Sequence, residues 1–169
     1  HYHALARGTF VPGQYTTPLI TSGLREEHAI FGGAEQLRQC ISYVAARYKP
    51  RYILIANSCV AGVIGDDTPA IAGEAEAALG LPVMTVPCSG FLDGEYHAGF
   101  YHAAMALADR FMRRQPEVSA NTVTLLGDRG GPYGADAKEM AELLGFFGLE
   151  IQGRFPGYAT IEQMERVSA

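Results

Sequence analysis

The chain has 169 residues, of which 48% are hydrophobic and 18% charged, with a net charge of -5 at neutral pH. That length supports one well-buried domain, or one domain and the start of another. An acidic balance without a stripe of Lys and Arg argues against an electrostatic grip on nucleic acid or anionic lipid, and no apolar run reaches the roughly 18–20 residues of a membrane span.

Taken in chain order, the sequence alternates strand and helix signals. His1-Tyr2-His3 has neither a start methionine nor the apolar stretch of a signal peptide, and reads as a cut within a longer chain. Thr17 to Ser22 is a candidate edge strand. Ala34 to Tyr48 has helical spacing, with Leu37, Ile41, Val44, Ala45 and Tyr48 on one face. Arg51 to Asn57 is a short, nearly continuous apolar run of the kind a doubly buried parallel strand requires. Pro69 to Leu79 is the next helix, with Thr68 as N-cap, Pro69 at the first helical position and Gly80 to close it. Leu81 to Pro87 is a second strand.

Ala98 to Arg114 places Tyr101, Ala104, Met105, Ala108, Phe111 and Met112 along one stripe. Arg110, Arg113 and Arg114 gather at its end, where positive charge complements the helix dipole. A polar connector, Gln115 to Asn121, leads to a third strand at Thr122 to Gly127. The helix Ala135 to Phe147 carries Met140, Ala141, Leu144 and Phe147, and Leu149 to Gln152 is a short fourth strand. A last helix begins at Thr160, with Gln163 three residues on to form a capping box.

Strand–helix–strand repetition implies an α/β, Rossmann-like three-layer fold, its parallel sheet covered by helices on both faces. The connector places residues 1–116 in a Rossmann-like domain. Residues 117–169 are then the start of a following Rossmann-like unit, or the last strands and helices of the same domain. Ligands in such folds sit in loops at the carboxyl ends of strands, here Ser58 to Asp67, Cys88 to Gly94, and Asp128 to Gly134.

Three cysteines, Cys40, Cys59 and Cys88, are too few and too scattered for a disulfide framework, which fits a reducing, cytoplasmic setting. Cys40 lies within a helix and reads as packing. Cys59 follows the strongest strand directly, where a thiolate can bind a metal or act as a nucleophile; on the residues alone, a small buried hydrophobe is the commoner role. No Cys-x-x-Cys pair exists, so the chain cannot supply the several thiolates of an iron–sulfur cluster by itself. Asp66 and Asp67 stand before a Thr-Pro helix start and are better suited to satisfying helix N–H groups than to holding Mg²⁺. Cys88 opens a second loop whose Gly90 and Gly94 mark a tight turn or a close approach. Gly127 to Gly134 lacks the Lys-Ser/Thr ending of a phosphate-binding loop and reads as turn chemistry. The five histidines show no zinc-site spacing.

In order, three stretches carry a resemblance. They are Glu27-His28-Ala29-Ile30-Phe31-Gly32-Gly33, Cys59-Val60-Ala61-Gly62-Val63-Ile64-Gly65-Asp66-Asp67, and Val86-Pro87-Cys88-Ser89-Gly90-Phe91 followed by Gly94 and Gly99. Together they resemble the nitrogenase component 1 family, whose members include the subunits of nitrogenase, its cofactor-assembly scaffolds and the dark-operative tetrapyrrole reductases.

The resemblance implies that Cys59 is a metal ligand, holding one iron of an iron–sulfur cluster (4Fe-4S or P-cluster-like) shared with upstream loops and a homologous sister subunit. It places Cys88 and Gly90 in a second cofactor-binding loop and allows a further metallocofactor in the full-length protein. It implies low-potential electrons delivered by a separate ATP-dependent iron protein reductase and passed to a small-molecule substrate. No catalytic residue is assigned. In the family's catalytic subunit a histidine follows the glycine downstream of the Cys-x-Gly-Phe loop. Here Gly99 is followed by Phe100 and Tyr101, so the substrate is left open. Two other readings stand beside this one: a non-catalytic scaffold for metallocofactor assembly, and a cluster-free Rossmann-like domain that binds a small molecule.

Overall fold

A computed structural model of the protein describes residues 18–88, 96–114, 120–128 and 134–167. Its elements run α1 (His28–Phe31), α2 (Ala34–Tyr48), β1 (Ile53–Asn57), α3 (Cys59–Ile64), α4 (Thr68–Leu79), β2 (Val83–Pro87), α5 (Tyr96–Phe111), β3 (Thr122–Asp128), α6 (Ala135–Phe146), β4 (Glu150–Pro156) and α7 (Ile161–Glu165). The fold class is α/β with parallel strands, as the alternating pattern implies. The chain divides into two compact units, one spanning Leu19–Ala106 and the other containing Leu107–Ala169. Among the described residues no helix is long and apolar enough to cross a membrane.

In the first unit β1 and β2 pair in parallel, Ile53 opposite Val83 and Asn57 opposite Pro87. A parallel pair needs a long crossover rather than a tight turn, and α3 and α4 supply it. Val86 is 1% exposed, and Val83, Ile71, Ala72 and Ile41 are buried with it. Helix α4 packs on β2, and α2 packs on α4. Burying Val, Ile and Ala side chains this way is the main stabilising term of the unit. At the front of α4 the carboxylate of Asp67 accepts the Ala70 N–H at 3.0 Å, and at the rear Gly80 turns the chain at φ +67°. Thr68, expected as the cap, is instead the first helical residue and is buried at 4% exposure. Asp67 wins the cap because its acceptor reaches the third N–H of the helix while Thr68 turns its hydroxyl inward.

The expected edge strand at Thr17 to Ser22 does not form across residues 18–22, and Thr17 lies outside the described residues. Pro18 has no N–H to give to a strand ladder.

In the second unit β3 and β4 are also parallel, Thr122 opposite Glu150 and Leu126 opposite Phe155, with irregularities after Val123 and Leu126. Helices α6 and α7 pack on β4, and Phe111, Ala137, Phe155 and Met164 are buried. Strand β4 runs to Pro156, past the expected end at Gln152. The pairing with β3 continues through Gly153, Arg154 and Phe155, which carries the strand past Gln152. The carboxyl ends of the two strands are joined by Arg154, whose Nε donates to Asp128 Oδ2 at 2.8 Å and whose Nη2 lies 2.5 Å from the same oxygen. The capping box at α7 is present as expected. The Thr160 hydroxyl accepts the Gln163 N–H at 3.2 Å, and Gln163 Oε1 accepts the Thr160 N–H at 2.9 Å.

Candidate functional site: the cysteine loop beyond β1

Because β1 and β2 run in parallel with Asn57 beside Pro87, the residues that leave them, Ser58-Cys59 and Cys88, emerge at the same end of the pair. This is the edge at which open α/β sheets bind ligands. The segment from Asn57 to Thr68 is a closed structure, held at its base by Asn57 Nδ2 donating to Thr68 Oγ1 at 2.8 Å. The stretch expected as a loop contains a short helix, α3, with a cap at each end. At its start the Ser58 hydroxyl accepts the Ala61 N–H at 3.4 Å, and at its end Gly65 adopts φ +79° and donates its N–H to the Ala61 carbonyl at 3.3 Å.

Cys59 is the first residue of α3; it is exposed and in no disulfide. Exposed apolar side chains stand on this helix and on its neighbour: Val60 and Val63 on α3 are 51% and 73% exposed, and Ile30 and Phe31 on α1, which packs against α3, are 80% and 85% exposed.

The acidic pair serves backbone groups, as its position implies, but on two different helices. Asp67 caps α4. Asp66 reaches across 33 residues of sequence: its Oδ2 accepts the buried Gly33 N–H at 2.6 Å, at the N-cap of α2. The two glycines of the Phe-Gly-Gly stretch make room for it. A Cβ on Gly32 would lie 3.0 Å from Asp66 Oδ1, and one on Gly33 would lie 3.1 Å from Oδ2 and collide with Leu24. Two of the three motif stretches therefore meet at one hydrogen bond. Sequence reasoning missed this contact, although a double glycine without a side-chain cap before a long helix is a signal that an outside acceptor is needed.

The remaining candidates fall as follows. Cys88 stands directly beyond β2 and is exposed, yet partial burial of its sulfur pushes the thiol above the ordinary value of 9.0. Gly90, with the rest of its loop from residue 89 to 95, lies outside the described residues, as do residues 129–133 of the third loop. Cys40 is half-buried in α2, and burial raises its thiol likewise. His28 is locally satisfied, its Nδ1 accepting the Arg25 N–H at 2.8 Å. Phe100 is half-buried and Tyr101 exposed on α5. Among the described residues no three His, Cys, Asp or Glu side chains gather closely enough to hold a metal ion. Cys59 offers a single exposed thiol at the end of β1.

Comparison with known proteins gives the family context. The sequence model for nitrogenase component 1 type oxidoreductases matches residues 1–169. The chain is 28% identical over 145 residues to the nitrogenase iron-molybdenum cofactor biosynthesis protein NifE of Clostridium pasteurianum, an alignment that covers 86% of this chain and 31% of that protein. It is 31% identical over 151 residues to the nitrogenase molybdenum-iron protein alpha chain of Klebsiella pneumoniae, again covering 86% of this chain and 31% of the relative. A solved structure of nitrogenase Cp1 at pH 6.5 superposes with a TM-score of 0.77 at 25% identity, over 90% of this chain and 29% of that one. The chain thus spans about a third of the length of the proteins it matches.

Proposed function

This chain belongs to the nitrogenase component 1 type oxidoreductase family, and on that premise we propose that it is part of a subunit that relays low-potential electrons to a reducible substrate. Its contribution to the relay is Cys59, one thiolate ligand of an iron–sulfur cluster completed by ligands from other loops of the full-length subunit and by a homologous sister subunit. The single observation that carries this reading is the exposed, disulfide-free thiol at the carboxyl end of β1. A cluster ligand has to reach out of the fold, and a sulfur sealed among hydrocarbon side chains would not serve. The donor set fits a shared cluster: one thiolate from this loop, with no complete metal site among the described residues.

When bound, such a cluster supplies a one-electron carrier. The chain's own residues do the holding. Asn57 and Thr68 close the base of the loop, Ser58 starts the helix that carries the thiol, and Asp66 and Asp67 anchor its far end. Val60 and Val63, exposed apolar neighbours on the same helix, would exclude water from the sulfur once a partner covers them. A protein partner that supplies the electrons, an ATP-dependent iron protein reductase, agrees with the absence of a phosphate-binding loop motif in this sequence. Residues 117–169 are read as the beginning of a further Rossmann-like unit of the same subunit, or as the last strands and helices of the same domain; the second compact unit itself takes in the chain from Leu107 onward.

Similarity to NifE at a level comparable with the alpha chains favours a second reading, a scaffold on which a metallocofactor is assembled. The two readings share Cys59 and differ in turnover. The deciding experiment uses the full-length, anaerobically purified complex with its reductase and ATP. Substrate-dependent oxidation of the reductase supports the enzyme. Transfer of a cofactor to an acceptor protein without any substrate consumption supports the scaffold. A colourless, iron-free complex would remove both and leave a cluster-free binding domain.

A further inference from the structure

Helix α3 has six residues, too few to hold itself in place, so the position of Cys59 depends on α1, which packs against the helix, and on the contacts at its two ends. The front end leaves β1 and is closed by the Asn57–Thr68 hydrogen bond. The rear end turns at Gly65, whose N–H caps the Ala61 carbonyl, and the next side chain along is Asp66. The Asp66 carboxylate then binds the buried N–H of Gly33 at 2.6 Å, with Oδ1 over Gly32 and Oδ2 over Gly33. That acceptor also stands at the N-terminus of the 15-residue α2, where negative charge is favoured.

We infer that Asp66 is a positioning residue for Cys59: seated on the Gly32–Gly33 turn, its carboxylate pins the far end of α3 and thereby sets where the Cys59 sulfur stands. This rests on the reading of Cys59 as a cluster ligand and extends it to the Phe-Gly-Gly turn, which has no ligand of its own. The two glycines are there because a carboxylate approaches the backbone at both, and the acid is there because α2 offers the N–H and α3 needs the tether.

The test uses the full-length complex under anaerobic conditions, with the paramagnetic spectrum of the reduced protein and the rate of iron loss to a chelator as readouts. Asp66→Ala is expected to alter the spectrum and to speed iron loss by about tenfold, the low end of what a lost supporting contact costs a metal site. Asp66→Asn keeps an acceptor oxygen and is expected to restore the wild-type spectrum and retention. Thr160→Ala, which removes a helix cap in the other unit, is expected to lower stability and leave the spectrum unchanged. If Asp66→Ala does not assemble, Gly32→Ala, which pushes on Oδ1 from the opposite side, carries the same expectation.

A wild-type spectrum and retention in Asp66→Ala would overturn the inference, as would Asp66→Asn behaving no better than Asp66→Ala. Cys59→Ala is measured in parallel. If it keeps its iron and spectrum, the ligand reading itself fails. If it loses them while Asp66→Ala does not, only the positioning role fails.

Discussion

Replacing Gly32 by alanine tests the meeting of the two motifs through stability alone. Gly32 has φ +88° and ψ 159°, a region open almost only to glycine, so an alanine there costs about 1–3 kcal/mol in backbone strain. Its methyl group would also stand 3.0 Å from Asp66 Oδ1 and drive the carboxylate off the Gly33 N–H. A hydrogen bond to a charged acceptor contributes about 1.5–3 kcal/mol, and the half-exposed setting of Asp66 puts this one at the low end.

The expected loss for Gly32→Ala is therefore about 2.5–4 kcal/mol, read as the shift of a urea unfolding transition in the full-length chain. Because part of that loss is the Asp66 contact, the double variant with Asp66→Ala should fall short of additivity by about 1–2 kcal/mol. Gly73→Ala in α4 is the contrast: ordinary helical backbone, nothing within 4 Å of the added carbon, and an expected gain of about 0.5–1 kcal/mol. A loss under about 0.5 kcal/mol for Gly32→Ala, the range of an indifferent surface change, would refute the reasoning. So would strict additivity with Asp66→Ala.

Arg154→Ala removes both nitrogen contacts from an Asp128 side chain that is only 10% exposed, and is expected to cost about 3 kcal/mol in the same unfolding assay; a loss below about 1 kcal/mol would place the pair with ordinary surface ion pairs. Alkaline pH should destabilise the fold through Tyr52. Burial raises its hydroxyl above the ordinary value of 10.0, so the folded state holds that proton more tightly than the unfolded one. The stabilisation is full below the ordinary value and is lost as pH rises through the higher folded value. The melting temperature should therefore fall as pH climbs past 10.0, with a shallower slope in Tyr52→Phe.

What the sequence made legible was local. The span of α2 follows from the spacing of its apolar residues, and the observed helix has the expected limits, Ala34–Tyr48. The capping box at Thr160 needs only two side chains three residues apart, and it forms as read. The apolar runs at β1 and β2 mark strands as read, but β1 is not doubly covered: its residues alternate half-buried and exposed. Helix α3 falls in a stretch that the sequence marks as loop, since six residues with two valines and a glycine carry no periodicity; its signals are Ser58 and Gly65, a cap at each end. The Asp66–Gly33 bond spans 33 residues, and no local pattern encodes a contact at that distance. The extra length of β4 was hidden for a similar reason: Gly153 and Arg154 interrupt the apolar run, and the β3 partners that continue the pairing are far away in sequence. At the site, the position of Cys59 at a strand end was readable, whereas its exposure required the fold.

The most direct test of the central claim is a diffraction experiment on the full-length complex at the iron absorption edge. Iron bonded to Cys59 Sγ, with further ligands from other loops and from the sister subunit, is the result expected. An iron map with no peak near that sulfur, and the thiol left bare against protein or solvent, would contradict it.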